Sequence, residues 1–68
     1  MNEIIFIIEQ APEGGFTARA VSDAIFAEAD DMASLHQEIR DAVSCHFEPE
    51  KKPKLIRLHF VREEVIAA

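Results

Sequence analysis

One cysteine, two glycines, seven basic residues and no apolar run longer than five residues set the first limits on this 68-residue chain. Cys45 alone forms no internal disulfide, and a free thiol, expected to be partly buried, suits a reducing cytoplasm. The two glycines are adjacent, Gly14-Gly15. They lack the spacing of a phosphate-binding loop and fall between two strand-like segments instead of between a strand and a helix. The longest apolar run, Ile4-Ile5-Phe6-Ile7-Ile8, is far short of the ~20 residues of a membrane span, so no membrane association is expected. Met1-Asn2-Glu3 is not a basic leader, so no signal peptide is expected either. Thirteen acidic against seven basic residues leave a net charge of −6. Such a chain is repelled by phosphate backbones, which disfavours direct nucleic-acid binding, while a basic protein partner is attracted. The one basic cluster, Lys51-Lys52-Pro53-Lys54, is flanked by Glu48 and Glu50 and reads as a solvated loop.

What is present is one amphipathic helix and several strands. Over Asp31 to Phe47, the residues Met32, Leu35, Ile39, Val43 and Phe47 recur at spacings of three and four and form one apolar stripe, with Ala42 and His46 at its edge. Asp31 is the expected N-cap, which places Ser34 where a capping box normally has Glu or Gln. Pro49 disfavours helical geometry at Glu48 and ends the segment. Glu3 to Glu9 reads as a strand apolar on both faces. Gln10 to Gly15 is a loop, and Phe16 to Val21 alternates, with Phe16, Ala18 and Ala20 on one face and Thr17, Arg19 and Val21 on the other. Ala24 to Ala29 is a third strand in which Ile25, Ala27 and Ala29 share a face. After the helix and the proline-held loop Glu48 to Lys54, Leu55 to Arg62 alternates again. Residues 63–68 fit a strand extension, a helical turn or a frayed end.

The order β-β-β-α-β describes a single α+β domain over residues 1–68. Its first three strands form an antiparallel meander. The fourth pairs beside the first and parallel to it, giving the sheet order 3-2-1-4 with the doubly apolar strand inside. A chain this short buries only about 60% of its unfolded surface, and one helix covers one face of a sheet. The second face therefore needs a cover of its own, and a homodimer or another protein partner is expected to supply it. The expected contact surface is that uncovered face, assigned to Ile4, Phe6, Ile8, Arg19, Arg57 and His59, together with the acidic helix.

The side chains that carry chemistry do not converge. His36 and His46 are ten residues apart on different flanks of the helix, and the Cys45 and His46 side chains diverge by about 100°. Zinc sites use close pairs, so no metal is expected. Cys45 with His46 as its base fails as a nucleophile pair because adjacent helical residues do not face each other. Glu28, Asp30 and Asp31, with Asp23 nearby, are explained by capping and solvation without Mg2+. No cofactor and no catalysis are expected.

The segment Glu13-Gly14-Gly15-Phe16-Thr17-Ala18, a short third strand, the acidic helix start Glu28-Ala29-Asp30-Asp31 and the amphipathic helix through Ala42-Val43 resemble the N-terminal domain of HicB-like antitoxins. Gly15, Phe16 and Ala18 sit where that family has its Gly-aromatic-x-Ala hairpin. Asp30 sits at the Asp of its Gly-Asp-Thr helix start, with Ala29 and Asp31 in place of the glycine and threonine. Ala33-Ser34 replaces the usual acidic pair, and Val21-Ser22-Asp23 replaces a Pro- and Gly-containing link. The resemblance spans residues 3 to 47 and implies a partial ribonuclease H-like fold. It also implies a cytoplasmic, non-enzymatic role in which the domain covers a basic, RNA-cleaving toxin. Members commonly carry a C-terminal DNA-binding domain; none is expected here, since these 68 residues end too soon for one. The alternatives are a structural or accessory subunit of a larger assembly, and a small ligand- or metal-binding protein.

Overall fold

The computed structural model describes residues 2–68; Met1, part of the leader reading above, lies outside the described residues. Four strands and one helix follow in the expected order: β1 (Glu3–Gln10), β2 (Phe16–Ala20), β3 (Phe26–Ala29), α1 (Met32–His46) and β4 (Leu55–Phe60). They form one mixed sheet ordered β3-β2-β1-β4. β1 pairs antiparallel with β2 and parallel with β4, so the strand apolar on both faces lies inside the sheet and is hydrogen-bonded on both sides.

The hairpin between β1 and β2 is closed by the Gly14 N–H donating to the Ala11 carbonyl and the Ala11 N–H donating to the Gly15 carbonyl, both at 3.0 Å. Gly14 and Gly15 have φ of 104° and 83°, a region that L side chains rarely adopt. A Cβ on Gly15 would stand 2.9 Å from the Ala29 carbonyl oxygen, so this glycine also lets the hairpin loop lie against the end of β3. The third strand starts later than its alternation predicts. Ile25 is held in the turn instead, its N–H donating to the Asp23 carbonyl and its carbonyl accepting from Ala20.

α1 begins at Asp31. The carboxylate Oδ1 accepts the Ser34 backbone N–H at 2.7 Å, and the Ser34 hydroxyl donates to Oδ2 at 3.2 Å. The cap therefore uses serine where a capping box would use Glu or Gln. Those bonds hold the Asp31 carboxyl below its ordinary pKa, the backbone N–H of Ser34 contributing most. The helix ends at His46, with Phe47 as its extended C-cap, one residue earlier than the sequence pattern predicts.

Leu35, Ile39 and Val43 of the helix bury against Ile4, Phe6 and Ile8 of β1, Ala18 and Ala20 of β2, and Ile25 and Ala27 at β3. The helix sits off-centre. It lies over β3 and β2, and none of its Cα atoms comes within 8 Å of a Cα of β1 or β4. The alanines of β2 and β3 account for this: small side chains let the helix approach that half, while the larger side chains of β1 reach under it from the side. Beyond β4 the chain runs on without regular structure, so β4 stops at Phe60 and not at Arg62. Val65 and Ile66 are 93% and 80% exposed. The radius of gyration, 13.4 Å, exceeds the roughly 11 Å of a packed chain of this length, as a projecting end would produce.

Candidate interaction surface

Strand geometry sends alternate side chains to opposite faces, and the register assigns each one. Opposite the helix, Ile7 of β1 has Arg19 of β2 on one side and His59 of β4 on the other. Phe26 of β3 stands beyond Arg19. One step along, Ile5 lies beside Arg57, and the Val21 N–H bonds to the Ile5 carbonyl from the other side. Arg19, Arg57 and His59 thus do share the open face, grouped around Ile5 and Ile7. Phe26 (62% exposed), Val21 (58%) and Leu55 (62%) complete an apolar field there.

The charges on this face are largely paired. The Arg57 Nε stands 2.6 Å from the Glu3 carboxylate, and the Arg19 Nε is 3.9 Å from that of Glu9. Both pairs are solvent-exposed and contribute little to stability, typically under about 1 kcal/mol. They do lay alternating charge over the apolar centre.

The other half of the expected contact set must be corrected. Ile4, Phe6 and Ile8 are 1%, 0% and 1% exposed. They lie on the helix side, where Ile4 is opposite Ile56, Phe6 opposite Leu58 and Ile8 opposite Phe60. They form the core and are not available to a partner. The side chains that β1 offers to the open face are Glu3, Ile5, Ile7 and Glu9. A strand apolar on both faces does not reveal which set of alternate residues the helix takes, but its neighbours do. Ile5 and Ile7 are in register with Arg57, Arg19 and His59, polar groups that keep that side in water. Ile4 to Ile8 is accordingly not wholly internal: Ile5 is 37% exposed and Ile7 half-buried.

A second opening lies on the helix side, at the end of the sheet that α1 does not reach. It is a hollow of about 700 Å3 whose apolar lining includes Ile8, Phe16, Phe60 and Val61, with Glu9 and Arg62 at its rim. Cys45 is exposed, not partly buried as expected. His46 leans toward the β2–β3 turn, with its Nε2 3.8 Å from the Asp23 carboxylate, and its ring meets Phe47 edge-on at 4.8 Å. Among the described residues no group of three or more His, Cys, Asp or Glu side chains is placed to hold a metal ion. Among the described residues no helix is long and apolar enough to cross a membrane.

Two related proteins match this sequence along most of its length. One, a UPF0150 protein of Archaeoglobus fulgidus, is 42% identical over 55 residues, 81% of this chain and 82% of the relative. The other, a UPF0150 protein of Thermotoga maritima, is 37% identical over 66 residues, 97% of this chain and 93% of the relative. The chain belongs to the UPF0150 family. No family model matches it, and no solved structure matches it significantly. The Thermotoga match extends over nearly the whole chain, so this UPF0150 relative is of similar overall extent.

Proposed function

We propose that this UPF0150 chain is a cytoplasmic, non-enzymatic interaction domain that neutralises a basic protein partner by covering it with the open face of its sheet. The role is the one the HicB-like resemblance implies for an antitoxin against a small RNA-cleaving toxin. The observation that carries the reading is the field of Ile5, Ile7, Val21, Phe26 and Leu55, which is apolar and lies outside the core. An exposed apolar field of this kind, rimmed by charge, is characteristic of a protein-binding surface. A net charge of −6 speeds encounter with a basic partner and discourages an acidic one.

The test is co-expression with the product of the adjacent gene, followed by capture and mass determination of the complex. A small basic protein recovered in stoichiometric amount supports the reading. Ile5→Lys should then abolish capture while leaving the circular dichroism of the free domain unchanged. Recovery of a large assembly would favour an accessory-subunit role on the same face. A domain that binds no protein, or whose Ile5→Lys variant captures the partner undiminished, would remove the open face from consideration.

A further inference from the structure

β4 is bonded to β1 on one side only. The Leu55 N–H donates to the Asn2 carbonyl and the Val61 N–H to the Ile8 carbonyl. In a parallel ladder the residues between them, Ile56, Leu58 and Phe60, turn their own N–H and carbonyl groups away from β1. They form an unpaired edge of the kind that templates another strand. The side chains of the same three residues face the helix side, where α1 does not reach. Ile56 and Leu58 are half-buried and Phe60 is 56% exposed.

The charges around this strand indicate what pairs with it. Lys51, Lys52 and Lys54 precede β4, and Glu63 and Glu64 follow it. Within one chain Lys54 and Glu63 are separated by nine residues of extended backbone, about 30 Å. Among the described residues none of these five groups has an ion-pair partner. Glu64 lies six positions after Leu58 and Lys52 six before it. An antiparallel strand centred on Leu58 of an identical chain brings the basic turn before each β4 to the acidic segment after the other, with Glu63 and Glu64 near the partner's Lys51, Lys52 and Lys54 and with Arg62 beside Lys54.

We infer that β4 is the seam of a symmetric dimer, in which two copies pair antiparallel about a two-fold axis at Leu58 and continue into one eight-stranded sheet. The register makes Ile56 of each copy face Phe60 of the other, so that six apolar side chains meet on the helix side. All three outward-facing positions find hydrogen-bond partners, since the residues that meet are 56 with 60, 58 with 58 and 60 with 56. On the opposite face Arg57 meets His59. The Glu3 carboxylate, 2.6 Å from Arg57, offsets the positive charge that would otherwise oppose the two strands. The interface is isologous, so it closes at two copies. It leaves the open face of each copy unoccupied, and it stands or falls separately from the function proposed above.

The test is the solution mass of the chain at micromolar concentration by sedimentation equilibrium, with Cys45→Ser as background. The expected result is twice the 7.7 kDa of one chain. Leu58→Cys should then give a disulfide-linked dimer on mild oxidation, because paired Cα atoms about 5.5 Å apart suit the bond. Phe60→Lys should yield a folded monomer. Lys52→Glu should weaken the dimer about tenfold, and adding Glu64→Lys should restore it, a compensation that fixes the antiparallel sense of the pairing. A monomer of the parent chain would overturn the inference. So would open-ended assemblies, a dimer indifferent to Phe60→Lys, or a failure of the second charge reversal to compensate the first.

Discussion

The two halves of the sheet are built from different materials. Under the helix, β2 and β3 contribute Ala18, Ala20 and Ala27, all buried, and the bulk comes from Leu35, Ile39 and Val43 above them. At the far side, β4 contributes Ile56, Leu58 and Phe60, larger residues that end half-buried or exposed. On the two sides of β1, small residues lie where the chain supplies its own cover, and large ones lie where it does not. The difference shows that the helix is positioned by the alanines as much as by its own stripe. The β4 side is apolar in composition but incompletely sheltered, which is the condition of a surface made for contact.

The sharpest way to break this comparison is to remove one phenylalanine from each half. Phe6 is fully buried at the centre of the covered core, and Phe6→Ala should cost about 3–5 kcal/mol. A domain of this size commands only about 3–10 kcal/mol in total, so the variant is expected to be largely unfolded by circular dichroism and in urea titration. Phe60→Ala should cost under about 1 kcal/mol of fold stability. Equal losses at the two sites would mean that the β4 half is as complete as the other.

A smaller effect separates the two glycines of the hairpin. Gly14→Ala meets no atom within 4 Å, whereas Gly15→Ala drives its Cβ against the Ala29 carbonyl oxygen. Both substitutions bear a backbone penalty of about 1–2 kcal/mol for positive φ. Gly15→Ala should cost more, because the loop must also withdraw from the end of β3. The shift in the urea midpoint measures each. Near-equal values would show that the hairpin does not brace the covered half.

Much of this architecture was legible from local rules. The helix limits followed from the stripe and the Asp31 cap, and the place of β1 inside the sheet followed from its apolar run. The strand order followed from link lengths and the crossover. Three things were not legible. The assignment of Ile4, Phe6 and Ile8 to the contact face failed because Ile4 to Ile8 carries no alternation of its own. Only the register with Arg19, Arg57 and His59 tells its two faces apart. The displacement of the helix toward β3 was hidden as well, since it depends on how closely alanines on neighbouring strands let a helix approach. Cys45 was expected to be partly buried, but it lies off the helical stripe and is exposed.

The smallest predicted effect concerns the cap that starts the covered half. The Asp31 carboxyl is held below its ordinary value chiefly by the Ser34 backbone N–H. A group whose pKa is lower folded than unfolded binds fewer protons in the native state. Its stabilisation is therefore present above the ordinary Asp value of about 3.9 and fades as pH falls through the lower, native one. Helical circular dichroism should show a loss of stability in that acid range for the parent chain. Asp31→Asn caps without titrating, so it should lack this contribution while retaining the helix. Asp31→Ala should be less stable at neutral pH and nearly indifferent to protonation at this position. The dimer seam at β4 lies on the half that α1 does not cover, so the Asn variant should leave its association unchanged at neutral pH. A change in association for that variant would show that the two halves are coupled through the sheet.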